Sequence, residues 1–170
     1  MQITYFELLK IKASFGDDMR NKAKKFTDME KFRKILKEEG LKATPQRIAV
    51  HEAMMALTHA SADSIAEYIA EHSSTEITVA SVYNILEQLS SLKIYSFRLS
   101  SNNKKYYDIA TFDHIHLYDS KSHEYKDILD EEAIRLVESH FKGKKFRGYK
   151  IDSIDIQLVA HPTRRAKIQG

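Results

Sequence analysis

Cysteine is absent from the 170 residues, which excludes disulfides, thiolate metal sites and thiol nucleophiles together. Any transition-metal site must be built from histidine nitrogen and carboxylate oxygen, a donor set that suits Zn(II), Fe(II) and Mn(II). No apolar run approaches the roughly 18 residues that would suggest a membrane span. The first residues carry charges throughout and hold no apolar signal-peptide core, so a cytoplasmic location is expected. A surplus of one charge sign is missing too: 27 Lys and Arg stand against 24 Asp and Glu. Bulk charge therefore makes no case for nucleic acid, and a DNA argument must rest on local features. Repeats, low-complexity tracts, a glycine-rich phosphate loop and a nucleophile elbow are also absent.

What is present is a soluble, globular composition, 42% hydrophobic and 30% charged, long enough for one ordinary domain or two small ones. Residues 1–28 read as an extension. Arg20 to Lys25 holds four positive charges and no negative one, so Lys22, Lys24 and Lys25 are candidates for a phosphate-contacting arm, the alternative being a frayed, solvated tail.

Residues 29–110 read as a winged helix. Phe32, Ile35 and Leu36 recur at helical spacing from Met29 to Glu39, and Gly40 closes that helix. Thr44-Pro45 is an N-cap followed by proline at the first helical position. The expected apolar stripe of this second helix is Ile48, Val50, Met54, Met55 and Leu57. A third helix starts at its N-cap Ser61 and carries Ile65, Tyr68 and Ile69. A fourth starts near Thr78 and carries Val79, Val82, Ile85, Leu86 and Leu89. The period then changes: Ile94–Leu99 alternates every two residues, Ser100–Asn103 is turn chemistry, and Lys104–Ile109 returns. Helices followed by a basic-tipped hairpin define the fold, in which the helix before the hairpin enters the major groove.

Residues 111–160 read as a small α/β dimerisation domain, giving an α+β fold class overall. His114–Tyr118 and Tyr125–Ile128 are expected to pair as strands. Asp130 caps a helix through Phe141 with Ala133, Ile134, Leu136 and Val137 as its buried face. Tyr149–Val159 reads as a long final strand, and 161–170 as a tail.

The chemistry concentrates in Asp108-x5-His114-x-His116. Residues two apart on a strand share a side, so His114 and His116 can grip one ion. Asp108 lies just upstream, Asp127 falls on the next strand, and His59 sits in the loop before the third helix. A site drawing ligands from both halves would couple metal occupancy to DNA affinity. Taken singly, the His pair, His59 and each carboxylate are more often surface residues than ligands. The helix before the wing offers Thr78 and Ser81 as short donors, Tyr83 for a thymine methyl or a phosphate, and Asn84 for adenine. Arg47, Lys104 and Lys105 are candidate phosphate contacts, Tyr83 having a core role and the lysines a solvated pair as alternatives.

The stretch Gly40-Leu41-Lys42-Ala43-Thr44-Pro45-Gln46-Arg47, then His59-Ala60-Ser61-Ala62-Asp63, then Thr78 to Asn84, resembles the ferric uptake regulator family. The resemblance continues through Tyr107-Asp108 and Asp113 to His116, covering about residues 30–160. It implies a homodimer on palindromic double-stranded operator DNA. It also implies one regulatory metal per chain, Fe(II) or Mn(II) with Zn(II) as an in vitro substitute, on His59, Asp108, His114, His116 and Asp127. Asp rather than Glu at 127, and Asn84 after Tyr83, resemble the peroxide-sensing branch, where His59 and His114 would be the oxidised ligands. Asp119 and Ser122, and the segment Ala160–Thr163, stand where many members carry cysteine pairs, so no structural zinc held by four cysteines is expected. Rival readings are an iron-uptake or haem-responsive regulator, a metal-dependent enzyme using Asp108, His114 and His116, and a winged helix serving protein contacts.

Overall fold

Capping chemistry sets the helix starts. The structure, a computed structural model, describes residues 27–101, 103–110 and 113–163. Helix α1 (Met29–Glu38) begins where the Asp28 carboxylate accepts from the Lys31 amide at 2.8 Å. It ends in a Schellman arrangement: Leu41 N–H donates to the Leu36 carbonyl at 2.7 Å and Gly40 N–H to that of Lys37 at 3.2 Å. That closure needs the left-handed backbone found at Gly40, φ +67°, which glycine adopts without a Cβ penalty. Thr44, Ser61 and Thr78 cap α2 (Pro45–Leu57), α3 (Ala62–His72) and α4 (Val79–Ser91), each accepting from the amide three residues on.

These helices and a small sheet form the first of two units, which divide between residues 112 and 113. Strand β1 (His59–Ala60) pairs antiparallel with β3 (Lys105–Asp108), which also pairs with β2 (Ser96–Leu99), in the order β1-β3-β2. The β2–β3 hairpin is the wing. The core holds Phe32 and Leu36, then Val50 and Met54, Ile65 and Ile69, Val82, Leu86 and Leu89, and Tyr107. The face of α2 differs from the expected stripe: Ala49, His51 and Ala53 are buried with Val50 and Met54, whereas Ile48, Met55 and Leu57 are half-buried. On α4, Val79 is exposed rather than packed. Ile94 and Tyr95 are buried ahead of β2 rather than within it.

The second unit holds β4 (Ile115–Asp119), β5 (Tyr125–Ile128), α5 (Glu131–Phe141) and β6 (Ile156–Ala160). The sheet order is β5-β4-β6, with β4–β5 antiparallel and β4–β6 parallel. Tyr118 faces Tyr125 across the hairpin, rings 4.9 Å apart, and both are buried. Two expectations fail here. The final strand spans only Ile156–Ala160 rather than 149–159. Ile151 and Ile154 are three apart and break the two-residue period that Ile154, Ile156 and Leu158 keep. Helix α5 fully buries none of its residues: of the expected face, Ala133, Ile134 and Val137 are half-buried and Leu136 is 69% exposed. Among the described residues, no helix is long and apolar enough to cross a membrane.

Candidate functional site

Sheet register builds the candidate ligand pair of the first unit. The β1–β3 ladder sets His59 opposite Asp108, so two residues far apart in sequence become cross-strand neighbours. His59 thus lies on a short strand, not in the loop the sequence suggested. Its Nε2 is 3.4 Å from Asp108 Oδ2, and both side chains are almost wholly buried. The carboxylate is held in place: Oδ1 accepts from the Ala110 amide at 2.7 Å, and Arg98 Nη1 lies 3.5 Å from Oδ2. Such partners satisfy and orient a buried carboxylate, the setting in which one could serve as a metal ligand.

The second unit assembles its own cluster at the start of β4. His114 and His116, two apart, bring their Nε2 atoms to 2.7 Å, and both rings are buried. Register sets Asp127 opposite His116, and Asp127 Oδ1 lies 3.2 Å from His114 Nε2. His116 Nδ1 lies 3.5 Å from Asp155 Oδ1. Asp155 went unread in the sequence, because it precedes β6 and only the parallel β4–β6 pairing brings it beside β4. A carboxylate behind a ring nitrogen fixes which nitrogen points forward as a ligand. A cavity of about 310 Å3, lined by His114, Ile134, Glu138 and Ile154 among others, opens beside the cluster. Buried imidazole nitrogens converging with aspartate oxygens at the surface edge fit a divalent ion of borderline character such as Fe(II), Mn(II) or Zn(II).

The expected DNA-reading residues lie in the first unit. Tyr83 and Asn84 are exposed on α4. Thr78 Oγ1 and Ser81 Oγ are 3.0 Å apart at its N-terminus. Arg47 is engaged inward: its guanidinium donates to the Lys42 carbonyl at 2.7 Å and to Gln88 Oε1 at 2.8 Å, bracing α2 on α4. Lys104 and Lys105 project from the wing. Lys104 Nζ is 2.6 Å from Asp63 Oδ2, and Lys105 Nζ is 2.9 Å from Glu87 Oε1. Neither carboxylate was singled out in the sequence, since α3 and α4 meet the wing only in the folded unit. Lys22, Lys24 and Lys25 lie outside the described residues.

A winged helix followed by a small α/β unit, with His/Asp clusters in each, is the build of a metal-responsive transcription regulator. The profile of the ferric uptake regulator family matches residues 38–159, and the chain belongs to that family. Its members regulate transcription, bind DNA and act as dimers, and are not enzymes. The α+β fold expected from the sequence is the one observed. The Vibrio cholerae ferric uptake regulator superposes with a TM-score of 0.65 at 21% identity, over 77% of this chain and 99% of that one. The Helicobacter pylori ferric uptake regulator, described as having three functional metal-binding sites, gives 0.62 at 24% over 79% and 88%. The Campylobacter jejuni peroxide stress regulator gives 0.55 at 24% over 78% and 96%. At such identities the likeness speaks for the fold alone. No curated protein matches the sequence.

Proposed function

We propose that this chain is a homodimeric repressor whose binding to palindromic operator DNA requires one Fe(II) or Mn(II) per chain, and that peroxide releases it. The ligands in this reading are His59 and Asp108 of the first unit with His114, His116 and Asp127 of the second. The observation that carries it is a pair of His/Asp clusters, one in each unit, each assembled by its own sheet register, with His59, Asp108, His114 and His116 holding buried side chains and Asp127 at the surface edge. A single ion bound by both would restrict how the reading unit is presented, a direct link between occupancy and DNA affinity. No cysteine is available for a structural zinc, so one metal per chain is the proposed stoichiometry.

Bound Fe(II) would activate peroxide by electron transfer; in the net step H2O2 gives one oxygen to a ring carbon of a ligand histidine, which is oxidised by two electrons, and the other oxygen leaves as water. The chain's part is to hold His59 and His114 as the rings that take up oxygen, and the cavity beside His114 offers a small molecule a way in. The exposed apolar residues of α5 and of edge strand β6, with Leu158 47% and Val159 67% exposed, support a second copy as the dimer partner.

DNA binding by the untagged chain, titrated with Mn(II) or Fe(II) against chelator on an A/T-rich palindromic duplex, tests the reading. Metal should raise affinity at least tenfold, and His116→Ala should remove that gain; equal affinity with and without metal in the parent chain overturns it. Peroxide treatment of the Fe(II) form should release DNA and add about one oxygen to a peptide containing His59 or His114. A peroxide-inert complex would instead favour an iron-level regulator, the function named for the Vibrio cholerae and Helicobacter pylori neighbours.

A further inference from the structure

Both wing lysines expected to meet phosphate already have an anionic partner inside their own unit. Lys104 bonds Asp63 on α3, and Lys105 bonds Glu87 on α4. The Lys105 ammonium also lies 4.4 Å from the Phe97 ring centre and 5.5 Å from that of Tyr83. Glu87 Oε1 accepts a second bond, from the Tyr107 hydroxyl at 2.5 Å. The Tyr107 hydroxyl, then the Lys105 ammonium, hold the Glu87 carboxyl below its usual range, so it stays ionised. Ser61, Asp63, Val79, Tyr83, Lys104 and Lys105 help line a cleft of about 310 Å3 between the start of α4 and the wing. Each wing lysine is thus offset by one carboxylate, Asp63 at the cleft and Glu87 beside it, although the tip of the wing read alone looks basic.

We propose that Asp63 and Glu87 are specificity-determining residues of the DNA-binding face, which withhold the wing lysines from phosphate until base contacts on α4 are made. The inference rests on the DNA-binding reading above. Affinity for arbitrary duplex comes almost wholly from cations that displace counterions. A lysine shared with a fixed carboxylate contributes less to that term, and the carboxylate itself repels a phosphate that arrives out of register. Such a repulsive element raises the gap between right and wrong sequence rather than the affinity for either. Glu87 has a second effect. By tying Lys105 and Tyr107 of the wing to α4, it sets the spacing between the groove-reading helix and the hairpin, so Tyr83 and the wing engage DNA together.

The test uses the full chain loaded with Mn(II), a mixed-sequence duplex and an A/T-rich palindromic duplex, each measured over a range of salt. Glu87→Gln and Asp63→Asn keep size and hydrogen bonding while removing charge. On the mixed sequence each should bind several-fold tighter. The slope of log affinity against log salt should steepen by about 0.9 for each lysine released. The palindrome should gain less, so the ratio between the two falls. Adding Lys105→Gln to Glu87→Gln should abolish the extra slope. An unchanged slope and ratio overturns the proposal. So does a parallel loss on both duplexes with the slope unmoved, which marks the carboxylates as braces only. Absence of duplex binding by the parent chain overturns this proposal and the DNA-binding reading together, and so is distinguishable from a failure of the proposal alone.

Discussion

His51 is a polar residue in the middle of the winged-helix core. Its ring stacks on Phe32 at 3.9 Å and its Nδ1 lies 2.7 Å from the Tyr95 hydroxyl. Burial lowers its pKa from 6.5 to about 4, against the opposing pull of the Thr27 and Asp28 backbone. The folded chain keeps the ring neutral while the unfolded chain protonates it. Stability is therefore full above the ordinary value of 6.5 and declines as pH falls toward about 4, by about 3 kcal/mol in total. Urea unfolding at neutral and acid pH should show His51→Gln to be less acid-sensitive than the parent by that margin; parallel pH profiles refute it. Hydrophobic periodicity could not reveal this residue, because a paired imidazole in a core leaves no apolar signature. The same limit hid Asp63, Glu87 and Asp155, whose roles depend on partners distant in sequence. By contrast, strand alternation alone paired His114 with His116, and family spacing pointed to Asp127, which the β4–β5 register sets opposite His116.

At the level of elements, the local signals translated well wherever a side chain speaks to its own backbone. Thr44-Pro45, Ser61, Thr78 and Gly40 mark helix ends that the structure reproduces. Failures came where the deciding contact is remote. The two-residue strand β1 has no period of its own and exists only through β3. The 149–155 segment looked like strand because its isoleucines are frequent, not because they alternate. Helix α5 half-buries Ala133, Ile134 and Val137 but leaves Leu136 exposed among the described residues, and the proposed homodimer would cover it with a second copy. Leu136→Glu should then weaken the dimer by about two to three orders of magnitude, since burying a leucine stabilises by about 2 kcal/mol and a two-fold axis counts it twice. Sedimentation across a concentration series reads this directly, and an unchanged association constant removes α5 from the interface.

For the molecule as a whole, metal and folding should be linked. A ligand at about a hundred times its dissociation constant stabilises by about 2.7 kcal/mol. For a chain of this size that corresponds to a Tm higher by about 5–10 °C. Mn(II) should raise the melting temperature of the parent by that amount and chelator should reverse it. Asp108→Asn should lose most of the shift while keeping the winged helix, as judged by far-UV circular dichroism. A Tm indifferent to metal in the parent argues that His59 and Asp108 never share an ion with the second unit.

The β1–β3 ladder also dictates a sequence of events. His59 belongs to the first half of the chain, yet it meets Asp108 only when the returning strand of the wing is in place. On a ribosome, His59 therefore emerges well before its cross-strand partner. Closing that long loop is an entropic step that the winged-helix core must support before any ion can reward it. Under the proposed reading, a metal ion would meet His59 and Asp108 as a pair only on a finished wing.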